Sequence, residues 1–331
     1  MAMALDAMAK ACEVRPGEPG DAVQGVTPSY VAAPATVAEA SELMRAAAEY
    51  ELAIVPRGSG TKLHWGSPPD RCDLVIDTRR LGRVIEHAAG DLVVKAEAGL
   101  SLDDLQDVLS GAHQQLALDG LIAGATLGGV LATATAGPRR LLYGSARDLL
   151  IGITVIRADG VVAHAGGKVV KNVAGYDLGK LFTGARGTLG LIAEAAFRLH
   201  PMPRAAAYVS ATAADPAQAR EMTRALLHSP LVPAAVEVDG PGPITVTVLL
   251  EGIPDGVPPR AEAARDLIGG QLGDTAPGWW GRLPEGDVLA EVRGKVDPWG
   301  EQPSSTALMQ RVKQRFDPAG VCRPGVFVGG I

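Results

Sequence analysis

Apolar and polar residues alternate along the first two thirds of the chain in a way that predicts short buried strands and two amphipathic helices. Thr36-Val-Ala-Glu39 has the pattern of a capping box and predicts a helix that runs to about Tyr50. Ser101, followed by Asp104, predicts a second helix that ends near residue 110. Apolar runs bounded by turn residues predict strands at 52–56, 73–77, 83–87, 92–97, 115–118, 149–157, 161–165 and 191–199.

The pattern changes after His200-Pro-Met-Pro203, whose two prolines predict a rigid linker. Beyond it the periodicity predicts, in order, a strand at 206–212, a helix at 216–228, strands at 234–238 and 245–250, a helix at 259–272 and a strand at 288–292. This β-α-β-β-α-β order is that of the ferredoxin-like split motif. A last helix is predicted at about 304–316, before Asp317-Pro-Ala-Gly-Val321.

Composition and charge narrow the class of protein. The 331 residues are 47% hydrophobic and 21% charged, which is enough apolar material for one or two cores. The net charge is −6 and no basic run is present, so we expect no nucleic-acid partner. Cys12, Cys72 and Cys322 lie far apart, which indicates a reducing compartment. No two histidines or cysteines stand at metal-ligand spacing, so we expect no metal site.

Residues 120–138 carry no charge and contain a GxxxG pair at Gly124 and Gly128. Only five of these residues are Leu, Ile or Val, which is too few for a membrane-spanning helix. We therefore predict a buried glycine-rich segment and no direct membrane span. The N-terminal apolar stretch contains Asp6 and has no basic flank, so it is not expected to be a signal peptide. A cytoplasmic location is expected, with association with the inner face of a membrane only through partners.

Three segments of small residues are candidates for binding a ligand through their backbone. Arg57-Gly-Ser-Gly-Thr61 is not a Rossmann fingerprint, because Leu63 stands where its last glycine is required. The loop, flanked by Lys62, forms either a nest for a phosphate or a plain surface turn. Gly124–Gly137 allows either close approach of a flat ligand or close helix–sheet packing. Gly187-Thr-Leu-Gly190 by itself is typical of an ordinary turn.

Together the three segments resemble the FAD-binding domain of the vanillyl-alcohol oxidase / p-cresol methylhydroxylase family. The motif PRGSGTKLHWG is similar to that family's pyrophosphate loop, and ATLGGVLATATAGPRRLLYGSARDLLIG to its second flavin segment. GTLGLI is similar to the segment on the adenine side, and the terminal FDPAGV to the family's closing segment. Within the family, the resemblance is greatest to the FAD-binding E subunits of bacterial glycolate oxidases.

The resemblance implies an α+β fold with a two-lobed FAD-binding domain of the p-cresol methylhydroxylase type and a small ferredoxin-like cap. The expected boundaries are an N-terminal arm at 1–27, the FAD-binding domain at 28–203, the cap at 204–300 and a C-terminal segment at 301–331 that returns to the FAD-binding domain. The FAD contacts that it implies are Arg57, Gly58, Ser59, Gly60, Thr61, Lys62, Thr126, Gly128, Gly129, Thr133, Gly137, Gly190 and Ile192.

Two departures from the family pattern bear on the cofactor. Covalently flavinylated relatives have histidine where this chain has Thr61, which predicts non-covalent FAD. Arg186 stands where many relatives have glutamate, so different side-chain contacts are expected there.

The resemblance is thinner on the catalytic side. Catalytic 2-hydroxy-acid dehydrogenases of the family carry an H-x-GDGN-x-H segment in the cap, and this chain has none. Lys171 and Tyr176 are weak candidates for orienting a substrate carboxylate, with an ordinary helix start as the alternative. Arg139 and Arg140 are candidates for binding an acid, or are solvated or interface residues.

These features predict an FAD-bearing subunit of a complex that oxidises glycolate to glyoxylate. The expected partners are a homologous larger FAD subunit, which would bind the small 2-hydroxy acid, and an iron–sulphur subunit that takes the electrons onward. One alternative is a self-sufficient FAD-dependent 2-hydroxy-acid dehydrogenase, and another is a scaffold without flavin.

Overall fold

A computed structural model describes residues 2–167, 177–240, 243–282 and 303–331. The first lobe is built on a four-stranded sheet in the order β1-β2-β4-β3, in which β2 and β3 both run parallel to β4. Its elements are α1 (Ala2–Ala11), β1 (Glu13–Pro16), β2 (Tyr30–Ala33), α2 (Val37–Glu49), β3 (Ile54–Arg57) and β4 (Leu74–Asp77). Leu43 and Met44 of α2 are fully buried against Ile54 and Leu74 in the core of this lobe.

The second lobe contains an antiparallel five-stranded sheet in the order β5-β6-β10-β8-β9. Its strands are β5 (Val84–Ala88), β6 (Val93–Glu97), β8 (Leu150–Ile156), β9 (Val162–Gly166) and β10 (Leu191–Arg198). Its helices are α3 (Leu102–Ser110), α4 (Leu127–Thr133), α5 (Arg140–Tyr143), α6 (Ala146–Leu149) and α7 (Leu178–Phe182). The strand predicted at 115–118 is only the two-residue β7 (Gln114–Gln115), which pairs with β11 (His200–Pro201).

The third sheet has the strand order β13-β14-β12-β15 and is antiparallel throughout. Its elements are β12 (Ala205–Ala213), α8 (Pro216–Leu227), β13 (Ala235–Asp239), β14 (Ile244–Gly252), α9 (Val257–Ile268) and β15 (Gln271–Gly273). The observed order is therefore that of the split motif, with the first five elements as predicted and β15, which the sequence did not predict, as the last. The predicted end of the second helix is wrong, because Gly269 ends it in a left-handed conformation and the fourth strand follows directly. The strand predicted at 288–292 lies outside the described residues.

Both ends of the described chain are integrated into the fold. The first 27 residues, expected as an arm, supply α1 and β1, and Met8 is fully buried in the core of the first lobe. At the other end, α10 (Thr306–Phe316) carries Lys313, whose Nζ lies 2.6 Å from Oδ2 of Asp317 and donates to the carbonyl of Thr188 at 2.8 Å. This contact holds the C-terminal segment against the loop before β10.

The glycine-rich segment at 120–138 is partly helical, and Leu127, Val130 and Leu131 of α4 are buried as predicted. Across the described ranges, no helix is both long enough and apolar enough to cross a bilayer. The boundaries expected at 27/28, 203/204 and 300/301 stay predictions.

Candidate functional site

The three segments of small residues come together around one cavity, which is partly open to solvent. Twelve of the thirteen predicted contact residues line it: Arg57, Gly58, Ser59, Gly60, Thr61, Lys62, Thr126, Gly128, Gly129, Thr133, Gly190 and Ile192. Gly137 does not. It lies against Asp119, whose side chain a Cβ at position 137 would overlap.

Close backbone packing explains why glycines are required around the cavity. A Cβ at Gly58 would overlap the side chain of Thr126. Thr126 in turn caps α4, because its Oγ1 accepts the backbone N–H of Gly129 at 3.2 Å. Gly190 has φ +139°, and a Cβ there would overlap the carbonyl of Ile156. The loop after β3, the start of α4 and the loop before β10 can therefore meet only with these small residues in place.

Arg57 lines the cavity, and its guanidinium is already paired with carboxylates of the chain. Its Nη1 lies 3.0 Å from Oδ1 of Asp21, and its Nη2 lies 3.4 Å from Oδ2 of Asp77. Asp21 also accepts from Arg15 at 2.7 Å, and the hydrogen bond from Arg15 is the main cause that lowers the pKa of Asp21. The guanidinium of Arg57 therefore ties the loop to the first lobe.

Lys62 presents an uncompensated cation to the same cavity. The residue is 6% exposed, and within the described part of the chain Nζ makes one long contact, 3.4 Å to Oγ1 of Thr61. Within the described residues no carboxylate pairs with it. Burial lowers the pKa of Lys62 to about 8, so the ammonium is still mostly charged at neutral pH. A buried ammonium of this kind is stabilised by an anion in the cavity.

Arg323 is a cavity residue that the sequence analysis missed. It is 5% exposed, Nη1 donates to the carbonyl of Arg186 at 2.9 Å, and Nη2 donates to the carbonyl of Leu63 at 3.2 Å. The Nε–H of Arg323 is buried and has no hydrogen-bond partner among the residues that the structure describes. Burial lowers the pKa of Arg323 to about 10, which leaves the guanidinium charged at neutral pH. The sequence analysis expected the C-terminal segment to return to the FAD-binding domain, but it did not assign a role to Arg323.

Arg186 lines the cavity from the loop before β10, and burial lowers its pKa also. The cavity therefore combines the cations of Lys62, Arg186 and Arg323 with backbone that approaches closely. This combination favours a ligand with an extended shape and a negatively charged centre.

Of the four candidates for substrate binding, the structure describes Arg139 and Arg140. Lys171 and Tyr176 lie outside the described residues. Asp177, which follows them, caps α7 by accepting the N–H of Lys180 at 2.9 Å. Arg139 is paired with Glu251 of β14 at 2.6 Å, and Arg140 is exposed. In the part of the chain that the structure describes, no group of three or more His, Cys, Asp or Glu residues could hold a metal ion.

Comparison with known proteins agrees with this geometry. Residues 28–166 match the family described as FAD binding domain. Residues 28–166 therefore form a domain of this FAD-binding family. Its cofactor is FAD, and its relatives include FAD-linked oxidoreductases.

Two relatives of the FAD-binding domain are subunits of glycolate oxidase. Subunit GlcD of Bacillus subtilis is 32% identical over 238 residues, which are 71% of this chain and 50% of the relative. Subunit GlcE of Escherichia coli is 31% identical over 234 residues, which are 70% of this chain and 63% of the relative. The chain thus spans about half to just under two thirds of the length of these relatives.

The solved structure of p-cresol methylhydroxylase superposes with a TM-score of 0.70 at 16% identity, covering 95% of this chain and 68% of that one. At this identity the likeness shows the fold alone. It confirms the α+β fold of the p-cresol methylhydroxylase type that the sequence predicted for the FAD-binding domain.

Proposed function

We propose that the cavity holds FAD non-covalently, with the pyrophosphate against the loop of residues 57–62 and the rest of the cofactor along α4 and the loop before β10. The observation that carries this proposal is the buried, uncompensated ammonium of Lys62 inside a cavity lined by glycine backbone. Twelve of the thirteen expected contacts line the cavity and would hold the cofactor there. Gly137 would act by packing against Asp119.

The non-covalent state follows from residue 61. Thr61 has a hydroxyl group, which does not form the histidyl–flavin bond of covalently flavinylated proteins. The cofactor would then depend on contacts with the backbone and with buried cations, and mild denaturation would release it.

We propose that the chain acts as an FAD-bearing subunit in the oxidation of glycolate, or of a similar small 2-hydroxy acid, to the oxo acid. Two relatives are named as glycolate oxidase subunits, which supports this substrate class. FAD, when bound, accepts the two electrons of such an oxidation. The residues of this chain would bind the cofactor, exclude water from it and hold its negative charge.

The proposed partners are a homologous larger FAD subunit and an iron–sulphur subunit, in the cytoplasm or at the inner face of a membrane through those partners. The cap has no H-x-GDGN-x-H segment, and Arg139 is paired with Glu251, so neither of these two features supplies a free group for binding substrate. This favours a partner-dependent role. Lys171 and Tyr176 remain the proposed contacts for any acid bound by this chain alone.

The visible absorbance spectrum of the purified chain tests the proposal, followed by anaerobic addition of glycolate and D-lactate. A yellow protein that stays oxidised with either acid is the expected result. If a hydroxy acid bleaches the flavin, the chain is a self-sufficient dehydrogenase. A colourless protein that takes up no added FAD contradicts the proposed site. The remaining hypothesis is then a scaffold protein without flavin.

A further inference from the structure

The guanidinium of Arg323 reaches the cavity from the far end of the chain. Its two η nitrogens donate to the carbonyls of Leu63 and Arg186, which belong to the loop after β3 and to the loop before β10. A guanidinium has five N–H donors, so these two bonds leave three, and the buried Nε–H is among them. Arg323 therefore joins two walls of the cavity and keeps donors for a ligand.

The charge around Arg323 differs from that around Arg57. Arg57 faces two carboxylates, those of Asp21 and Asp77. Arg323 makes no salt bridge within the described residues, and its charged neighbour is the like-charged Arg186. A buried cation without a counter-ion is unfavourable, and a bound anion removes that penalty.

The surrounding structure fixes Arg323 in place. The residue adopts φ +47°, a left-handed conformation that is uncommon for arginine. The chain just before it is held by Asp317, whose carboxylate accepts the backbone N–H groups of Val321 and Cys322 and pairs with Lys313. Strained residues of this kind persist where neighbouring contacts over-determine them, often at ligand sites.

We propose that Arg323 is an anion-binding residue of this chain that contacts the pyrophosphate of FAD together with Lys62. The planar guanidinium suits two parallel bonds to phosphate oxygens, whereas Lys62 supplies a point charge. Because both η nitrogens also bind the cavity loops, Arg323 would hold those loops beside the phosphate. This inference rests on the proposed FAD site.

The test measures the FAD dissociation constant by flavin fluorescence at low and high salt for four proteins. These are the wild type, Arg323→Met, Arg323→Lys and the control Arg311→Met, which removes an exposed arginine from α10. Arg323→Met is expected to weaken binding by roughly tenfold to a hundredfold and to reduce its salt dependence, as for loss of a charged hydrogen bond. The FAD dissociation constant of Arg323→Lys is expected to lie between those of the wild type and Arg323→Met. That of Arg311→Met is expected to match the wild type.

Thermal unfolding of the FAD-free proteins separates anion binding from a structural role. If Arg323 binds the anion, Arg323→Lys weakens FAD binding by more than the change in the stability of the apo-protein accounts for. If both variants bind FAD like Arg311→Met, or if weaker binding is accompanied by an equally destabilised apo-protein in Arg323→Lys, the inference is wrong. If Arg323→Met does not fold, the FAD binding and apo-protein stability of Arg323→Lys test the inference by themselves. A wild-type protein that binds no FAD overturns the proposed site itself.

Discussion

The guanidinium of Arg139, just before α5, lies 2.6 Å from the carboxylate of Glu251 on β14 of the cap. The other carboxylate oxygen accepts the hydroxyl of Tyr143 at 3.0 Å, and Nη1 of Arg139 donates to Oε1 of Gln115 at 3.1 Å. The Glu251 side chain is only 2% exposed. An ion pair with its hydrogen bonds therefore joins the third sheet to the segment that carries α5.

Breaking this pair should destabilise the protein strongly. Within the described residues, Glu251→Gln leaves Arg139 with only the more distant carboxylate of Asp119, 3.8 Å from its Nε. Loss of one partner of a buried pair costs roughly 3–5 kcal/mol, and the remaining carboxylate places the expected loss at the lower end of this range. Urea unfolding monitored by tryptophan fluorescence measures the change. The control is Glu262→Gln, whose partner Arg265 is solvated on α9, and the expected loss there is below about 1 kcal/mol. Equal losses in the two variants would contradict a special role for the buried pair.

Filling the cavity at position 129 should abolish FAD retention. A Cβ on Gly129 would lie 3.2 Å from Oγ1 of Thr126 and 3.9 Å from Nζ of Lys62, so the ring of Gly129→Trp would extend into the cofactor's space. The flavin absorbance per protein after gel filtration measures retention. Gly90→Trp is the matched control, because a Cβ at Gly90 meets nothing within 4 Å. A folded Gly129→Trp protein with normal flavin content would show that FAD does not lie there.

Introducing histidine at position 61 should not by itself create a covalent bond between the protein and the flavin. Covalent attachment also needs base chemistry around the reacting flavin, and a single substitution does not supply it. We expect the flavin of Thr61→His to stay in the supernatant after acid precipitation, as in the wild type. Yellow colour in the precipitated protein would refute this prediction.

The stability of the FAD-free protein should depend on the titration of Lys62. The pKa of Lys62 is about 8 in the folded protein, against its ordinary value of 10.5, which the unfolded chain should keep. Between these two values the unfolded chain binds more protons, so the stability due to this group rises with pH across the window. Below about pH 8 the penalty for burying the ammonium is fully present.

Urea unfolding of the apo-protein from pH 7 to 10.5 tests this linkage. Lys62→Met is expected to be more stable than the wild type at pH 7, and this difference is expected to shrink as the pH approaches 10.5. Lys10→Met removes an exposed lysine and should show no such trend. With FAD bound, the pyrophosphate should raise the pKa of Lys62 again, and the pH-dependent difference in stability should move to higher pH.

Signals that lie close together in the sequence were sufficient for the local structure. Thr36 accepts the N–H of Glu39 at 3.1 Å, and Ser101 accepts that of Asp104 at 3.0 Å, as the two capping patterns predict. The order of the first five elements of the third sheet and its helices was also predicted, because each of these strands and helices has its own hydrophobic period. The three segments of small residues indicated where backbone would approach a ligand.

Short elements that depend on a partner strand were not predictable in this way. The strand β15 has only three residues, and its pairing with β12 is what makes it a strand. The strand β1 is mostly exposed and has no hydrophobic pattern, yet it pairs with β2 at the edge of the first sheet. Only contacts made after folding distinguish such segments from loops.

The sequence by itself determined the family pattern, the capped helices and the loops that surround the cavity, because these depend on neighbouring residues and on glycine's freedom to pack closely. The tertiary structure decided which charges face the cavity. Arg57 is paired with Asp21, 36 residues away, whereas Arg323 reaches the carbonyl of Leu63, 260 residues away, without meeting a carboxylate in the described chain. Whether a charge is compensated depends on distances in space, and a linear pattern does not record them.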